Sequence, residues 1–226
     1  MEPSPRKVVK RSPARTVRLL NLPDLQSTAI ECESSYERDF AKIASVFFAT
    51  RSIEHQPFRV SLTKGSYTPD FLVRFQDGSA TVVEVKPSAR IDQHAEKLNE
   101  ALGKLTQAGL PFLVVDELTI EPDGLAKQAR LIRRYAKAAF PADECARVLE
   151  VVRRQPGITL GDLAQLHGFP RPVALHLISH RQLHCRTRLS AADTVELVDA
   201  FLTQQESSHA IQFGNWLGVA PRQAHA

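Results

Sequence analysis

The sequence predicts an α/β domain, a mixed sheet flanked by helices, followed by a smaller all-α or winged-helix module. Three observations carry this reading. A strongly helical stretch precedes three short strand-like runs. A long helix, a buried apolar run and another helix then follow, in the order αβββαβα. Beyond Pro141 the strand patterns give way to short helices separated by Pro and Gly.

In "ESSYERDFAKIASVFFAT", Tyr36, Phe40, Ile43 and Phe47 recur at helical spacing and form one buried stripe. "FRVSLT" (58–63) reads as a strand closed by Lys64-Gly65. Residues 69–75 and 80–86 read as two more, joined around Asp77-Gly78 and stopped by Pro87. "ARIDQHAEKLNEALGKLTQAG" is a helix with Gly109 near its C-terminal end, "LPFLVVD" a buried strand, and 124–139 a further helix. Helices are then expected at 142–154, 159–167 and 171–182, a small wing in "RQLHCRTRL", and a closing helix over 192–204. The expected division is a disordered basic arm (1–17), an α/β domain (18–140), a helical winged-helix-like domain (141–205) and a C-terminal tail (206–226) that holds the only tryptophan, Trp216.

Composition narrows the classes. With 43% hydrophobic and 24% charged residues, the chain has an ordinary globular balance. No apolar run approaches the roughly 20 residues that span a bilayer, and the first residues lack a signal-peptide core, so no membrane partner and a cytoplasmic location are expected. Cys32, Cys145 and Cys185 are far apart and give no zinc-ligand spacing, which suits free thiols. Residues 1–18 hold six Lys/Arg against one Glu, whereas residues 141–226 hold eight of each sign. The surplus positive charge therefore belongs to the arm, which reads equally as a solubilising tail or as a strip that follows phosphates.

"GSYTPDFLVRFQDGSATVVEVKPSAR" carries charge that a plain hairpin does not need. Asp70 opens the first strand, and Glu84 and Lys86 close the second, inside the otherwise apolar "TVVEVKP". Two carboxylates suit Mg²⁺, which takes oxygen ligands and keeps several waters. A lysine two residues from the glutamate shares its face, where it can orient water or steady a phosphorane. The pattern P-D-x13-E-x-K matches the PD-(D/E)xK nuclease signature, against the plain alternative of a solvated hairpin edge.

Such a site needs an even hairpin register, or a bulge or a bend at Pro69 that re-aims Asp70, because a two-residue Asp77-Gly78 turn would point Asp70 away from Glu84 and Lys86. The preferred arrangement is a three-residue loop over 77–79, which sets Asp70 opposite Lys86. A loop over 76–78 sets Asp70 opposite Glu84. A third acid is expected from the first helix, where Glu33 and Glu37 are the candidates. Glu37 lies roughly 85° from the centre of the buried stripe. Ser34-Ser35-Tyr36-Glu37 also reads as a capping box, which needs no metal.

"ESSYERDF", "IEHQPFRV" and "YTPDFLVRFQDGSATVVEVKPSAR" together resemble, in order and spacing, the N-terminal domain of TnsA, the endonuclease subunit of heteromeric bacterial transposases. The resemblance covers roughly residues 30–116. It implies a restriction-endonuclease-like fold with Glu37, Asp70, Glu84 and Lys86 as the catalytic set, and Gln56 on the strand beside them. It also implies Mg²⁺, with Mn²⁺ as a substitute, held by Asp70, Glu84 and Glu37. The implied partners are DNA at transposon ends, a separate DDE-type transposase that cuts and joins the 3′ ends, and an AAA+ ATPase regulator docked on the second domain. Some members carry Gln where this chain has Glu84, and the acid here is closer to the wider nuclease signature.

In the C-terminal half, "RPVALHLISHRQLH" offers Arg171, His176, His180, Arg181 and His184. With no net charge there, protein docking is favoured over strong DNA reading. The reading is an Mg²⁺-dependent transposon endonuclease. The alternatives are a stand-alone restriction or repair nuclease of the same fold, and a DNA- or partner-binding module with a vestigial site.

Overall fold

The computed structural model describes residues 2–3, 18–121, 124–203 and 207–219. Apart from Glu2–Pro3, the basic arm lies outside the described residues, as do residues 206 and 220–226 of the tail. Strands β1 (Glu2–Pro3), β2 (Arg18–Leu20) and β3 (Ile30–Cys32) precede helix α1 (Ser35–Ser45). Then come β4 (Thr50–His55), β5 (Phe58–Ser61), β6 (Ser66–Tyr67), β7 (Phe71–Phe75) and β8 (Ala80–Val85). A short α2 (Ser88–Ile91) leads to α3 (Ala95–Gln107), β9 (Phe112–Val115), α4 (Glu117–Ile120) and α5 (Leu125–Arg133). The remainder is α6 (Ala142–Arg154), α7 (Leu160–Gln165), α8 (Arg171–Ser179), β10 (Leu183–Cys185), β11 (Leu197–Asp199) and α9 (His209–Leu217).

The central sheet has the order β4-β7-β8-β9, with β8 and β9 parallel and the other pairs antiparallel. A parallel pair needs a crossover, and α3 supplies it. Its Leu98, Ala101, Leu102 and Leu105 pack on one sheet face against Leu72, Val82, Phe112 and Val114. The other face, with Phe71, Val73, Phe75, Val83 and Val85, is covered by α1 and α9, and α5 packs on the outer side of α1. Strands buried on both faces explain the near-continuous apolar runs of β8 and β9. This mixed α/β architecture is consistent with the restriction-endonuclease-like fold. Among the described residues, no helix is long and apolar enough to cross a membrane.

Three elements differ from expectation. Helix α1 stops at Ser45, short of the end of the helical stretch expected in "ESSYERDFAKIASVFFAT", and Thr50–His55, for which no element was expected, is an edge strand. Thr50 donates its hydroxyl to the Ala44 carbonyl at 2.7 Å, turning the chain back while Phe47 stays in the core. In the stretch expected as a closing helix, the described residues 192–203 contain β11 and a 3₁₀ turn, with no α-helix. Val195, Leu197 and Asp199 are buried at alternate positions, a period of two that pairs β11 with β10. Within the segment read as a tail, α9 is a docked helix. Phe213 is fully buried, with ring centroids 5.2 Å from Phe47 and 5.3 Å from Phe75. One continuous apolar cluster thus joins the sheet, α1 and the C-terminal helices.

A buried ion cluster ties the same halves. Arg133 on α5 grips Asp24 with two bonds of 2.6 Å, and Arg181, just past α8, adds a third at 3.3 Å. Burial by itself raises the Asp24 pKa, but the bonds and charges of Arg133 and Arg181 outweigh it and bring it from 3.8 to about 2. The stabilisation is therefore full above about pH 4 and is lost as the pH falls towards 2. We predict that Asp24→Ala, which strands two buried guanidinium groups, costs about 3–5 kcal/mol in urea unfolding at pH 7. The gap from wild type should shrink as the pH drops below 4, and a pH-independent gap would refute this assignment.

Candidate active site

The hairpin register decides what the charged residues can do together. Phe71 pairs with Val83, Leu72 with Val82, Val73 with Thr81 and Arg74 with Ala80. The loop is therefore three residues, 76–78, which corrects the preferred 77–79 while keeping even parity. The reason is local. Gly78 has φ 85°, a left-handed conformation cheap for glycine. The Asp77 carboxylate accepts from the Ser79 N–H at 2.9 Å, and Phe75 N–H closes on the Ser79 carbonyl at 2.9 Å. Extending this register by one residue places Asp70 opposite Glu84, on the α3 side of the sheet with Leu72 and Val82.

Glu84 is buried, and both of its oxygens are engaged. Lys86 Nζ donates to Oε1 at 2.7 Å, and the Tyr67 hydroxyl donates to Oε2 at 2.6 Å. The Tyr67 pKa is pushed well above its ordinary value, first by burial and then by the Glu84 charge. Tyr67 was not among the residues expected from the sequence, although it lies inside the motif, three residues before Asp70. Asp70 accepts from the Val85 N–H at 2.8 Å. Its pKa is pushed well above the carboxylate range by burial and by the negative charges of Glu84 and Glu37.

Glu37 approaches from α1. Its pKa is raised by burial and by the charges of Glu33 and Glu84. Its Oε2 also accepts from the Glu33 N–H at 2.7 Å, while its own N–H donates to the Ser34 hydroxyl at 3.1 Å. The residue thus takes part in a cap at the helix start and still faces the carboxylates electrostatically. Gln56 lies one residue past β4, not on the strand, with φ 41°. Its N–H donates to the Asp70 carbonyl at 2.7 Å, its side-chain amide donates to Glu33 at 3.1 Å, and its Oε1 is buried without a hydrogen-bond partner.

Among the described residues, no three His, Cys, Asp or Glu side chains already converge as a metal cage. Mg²⁺ does not require one, since one or two carboxylates, waters and substrate phosphate complete its shell. The crowding of Asp70, Glu84 and Glu37 supplies hard oxygen donors whose mutual repulsion a cation would relieve. The donor set therefore fits a hard divalent ion.

Residues 36–117, from α1 to the start of α4, match the family described as TnsA-like endonuclease N terminal. No curated protein matches the chain significantly. The match spans Glu37, Gln56, Asp70, Glu84 and Lys86.

We predict that Tyr67→Phe, which leaves a buried carboxylate oxygen without its donor, costs about 1–3 kcal/mol of unfolding free energy. In a Glu84→Ala background the same change should cost far less, because the acceptor is gone. Equal costs in both backgrounds would show that the hydrogen bond does not hold Glu84.

Proposed function

We propose, from the premise that residues 36–117 form a TnsA-like endonuclease domain, that the chain hydrolyses DNA phosphodiesters at transposon ends. The observation that carries this is the even hairpin register, with Asp70 opposite Glu84 and Lys86 bonded to Glu84. Asp70 and Glu84 would hold Mg²⁺, with Glu37 as the third carboxylate and Mn²⁺ as a substitute. Bound there, the metal supplies Lewis-acid polarisation of the phosphate and a water of lowered pKa.

The chain's own residues do the rest. Tyr67 fixes the Glu84 carboxylate from one side, and Lys86 from the other. When substrate arrives, the Lys86 ammonium can shift its donors from Glu84 Oε1 to water or to the phosphorane oxygens. Asp70 is anchored by the Val85 N–H, so its remaining oxygen keeps a defined direction. Gln56 braces the Asp70 backbone.

In this reading the chain cuts 5′ strands while a separate DDE-type transposase cuts and joins 3′ ends. The C-terminal helices would dock an AAA+ regulator as a winged-helix-like module. Support comes from what their basic groups already do. Arg181 is buried in the Asp24 cluster, and Arg171 is paired with Asp193 at 2.8 Å. His176 and His180 are bonded to the Tyr135 and Ala136 carbonyls. Few cations of α8 are left to read DNA, which favours a protein partner.

We predict that Asp70→Ala and Lys86→Ala each lower Mg²⁺-dependent nicking in the reconstituted complex about 100-fold or more, with far-UV circular dichroism unchanged. Nicking at wild-type rates would sink the assignment. The chain alone should cut arbitrary duplex poorly, and efficient cutting by it would favour a stand-alone nuclease.

A further inference from the structure

A cleft of about 390 Å³ opens beside the Glu84–Lys86 pair, on the α3 side of the sheet. Its walls bring together cations from separate elements, Arg59 from β5, Lys97 from the first turn of α3, and Lys86, with the His94 imidazole from the turn before α3 beside them. The one carboxylate in its lining, Glu84, is already held by Tyr67 and Lys86. Among the described residues, neither Arg59 nor Lys97 makes an ion pair, and Arg59 Nε is buried without a hydrogen-bond partner. Lys97 Nζ lies over the Tyr67 ring at 5.9 Å, held against the cleft wall. Elsewhere on α3 the pattern differs, since Lys104 is paired with Glu100 and bonded to the Ser61 carbonyl. Unpaired cations gathered in a cleft too small for a duplex suit the backbone of one strand, since a guanidinium and an ammonium donate well to phosphate oxygens.

We propose that this cleft is a backbone-phosphate subsite. Arg59 and Lys97, with His94 at the rim, hold a DNA phosphodiester neighbouring the one cut beside Asp70, Glu84 and Lys86. The proposal rests on the nuclease reading and adds where the strand runs, from the carboxylates along β5 and the start of α3. It explains why, among the described residues, the cleft keeps Arg59 and Lys97 without a carboxylate partner.

The test separates binding from cutting. DNA affinity of the full chain is measured by fluorescence anisotropy with Ca²⁺ in place of Mg²⁺, across a salt series. Lys97→Ala and Arg59→Ala should each weaken binding and lower the slope of log K against log salt, by at most about 0.9 for the phosphate they share. Lys104→Ala, on the same helix but outside the cleft, should leave the slope unchanged. Should Arg59→Ala melt early, Lys97→Glu and His94→Ala carry the test, because both positions are exposed. Wild-type affinity and slope in the cleft variants, or an equal loss in Lys104→Ala, overturns the subsite. Displacement of DNA by millimolar inorganic phosphate without any slope change also overturns it, by marking a free-anion site. Wild-type nicking with unchanged slopes refutes the subsite alone. Altered slopes in the variants, with no nicking by the wild-type complex, refute the nuclease reading and leave the phosphate subsite standing.

Discussion

Pairing parity in a hairpin assigns every side chain to a sheet face, and a slip of one residue reverses an entire strand. The loop 76–78, with Gly78 left-handed and Asp77 bonded to Ser79, holds the β7–β8 pairing in even parity. The same loop seats α9. The His209 N–H donates to Asp77 at 2.8 Å, and the Ala210 N–H donates to the Ser79 hydroxyl at 3.1 Å. Two of the unsatisfied donors at that helix start are thereby met by the hairpin turn. Helix α9 is anchored to the element that sets the register, some five strand residues from the carboxylates.

The site holds its charge at a cost. Asp70, Glu84 and Glu37 repel one another in a partly desolvated place, and burial raises the pKa of Asp70 and Glu37. Lys86, the Tyr67 hydroxyl and the Val85 N–H offset part of that cost. Gln56 holds a left-handed backbone, worth about 1–3 kcal/mol of strain, at the point where it braces Asp70. A core that joins α1 to α5, α8 and α9, together with the Asp24 cluster, supplies the rigidity against which such local strain persists.

Much of this was legible in the residues. The α1 stripe, the hairpin, α3 and β9 follow from periodicity and punctuation, because those elements bury long apolar faces. The charged positions in "TVVEVKP" stood out because burying charge without partners is expensive. The register was legible only to its parity, since the choice between 77–79 and 76–78 turns on which residue takes φ above zero. Strand β4 was hidden because Ile53 is its only buried apolar side chain, so alternation is too weak to read. The seat of α9 was illegible because it depends on Phe213 meeting Phe47 and Phe75, contacts distant in sequence. Tyr67 was missed because a phenol in a strand is usually core, and only the fold shows its hydroxyl on Glu84.

The most direct measurement is the anomalous diffraction of Mn²⁺ in a crystal of this chain with a DNA end. The account predicts a peak bound by the carboxylates of Asp70 and Glu84, with a backbone phosphate beside it. A strong Mn²⁺ peak elsewhere on the chain, with Asp70 and Glu84 bare at metal concentrations that support cutting, would contradict it.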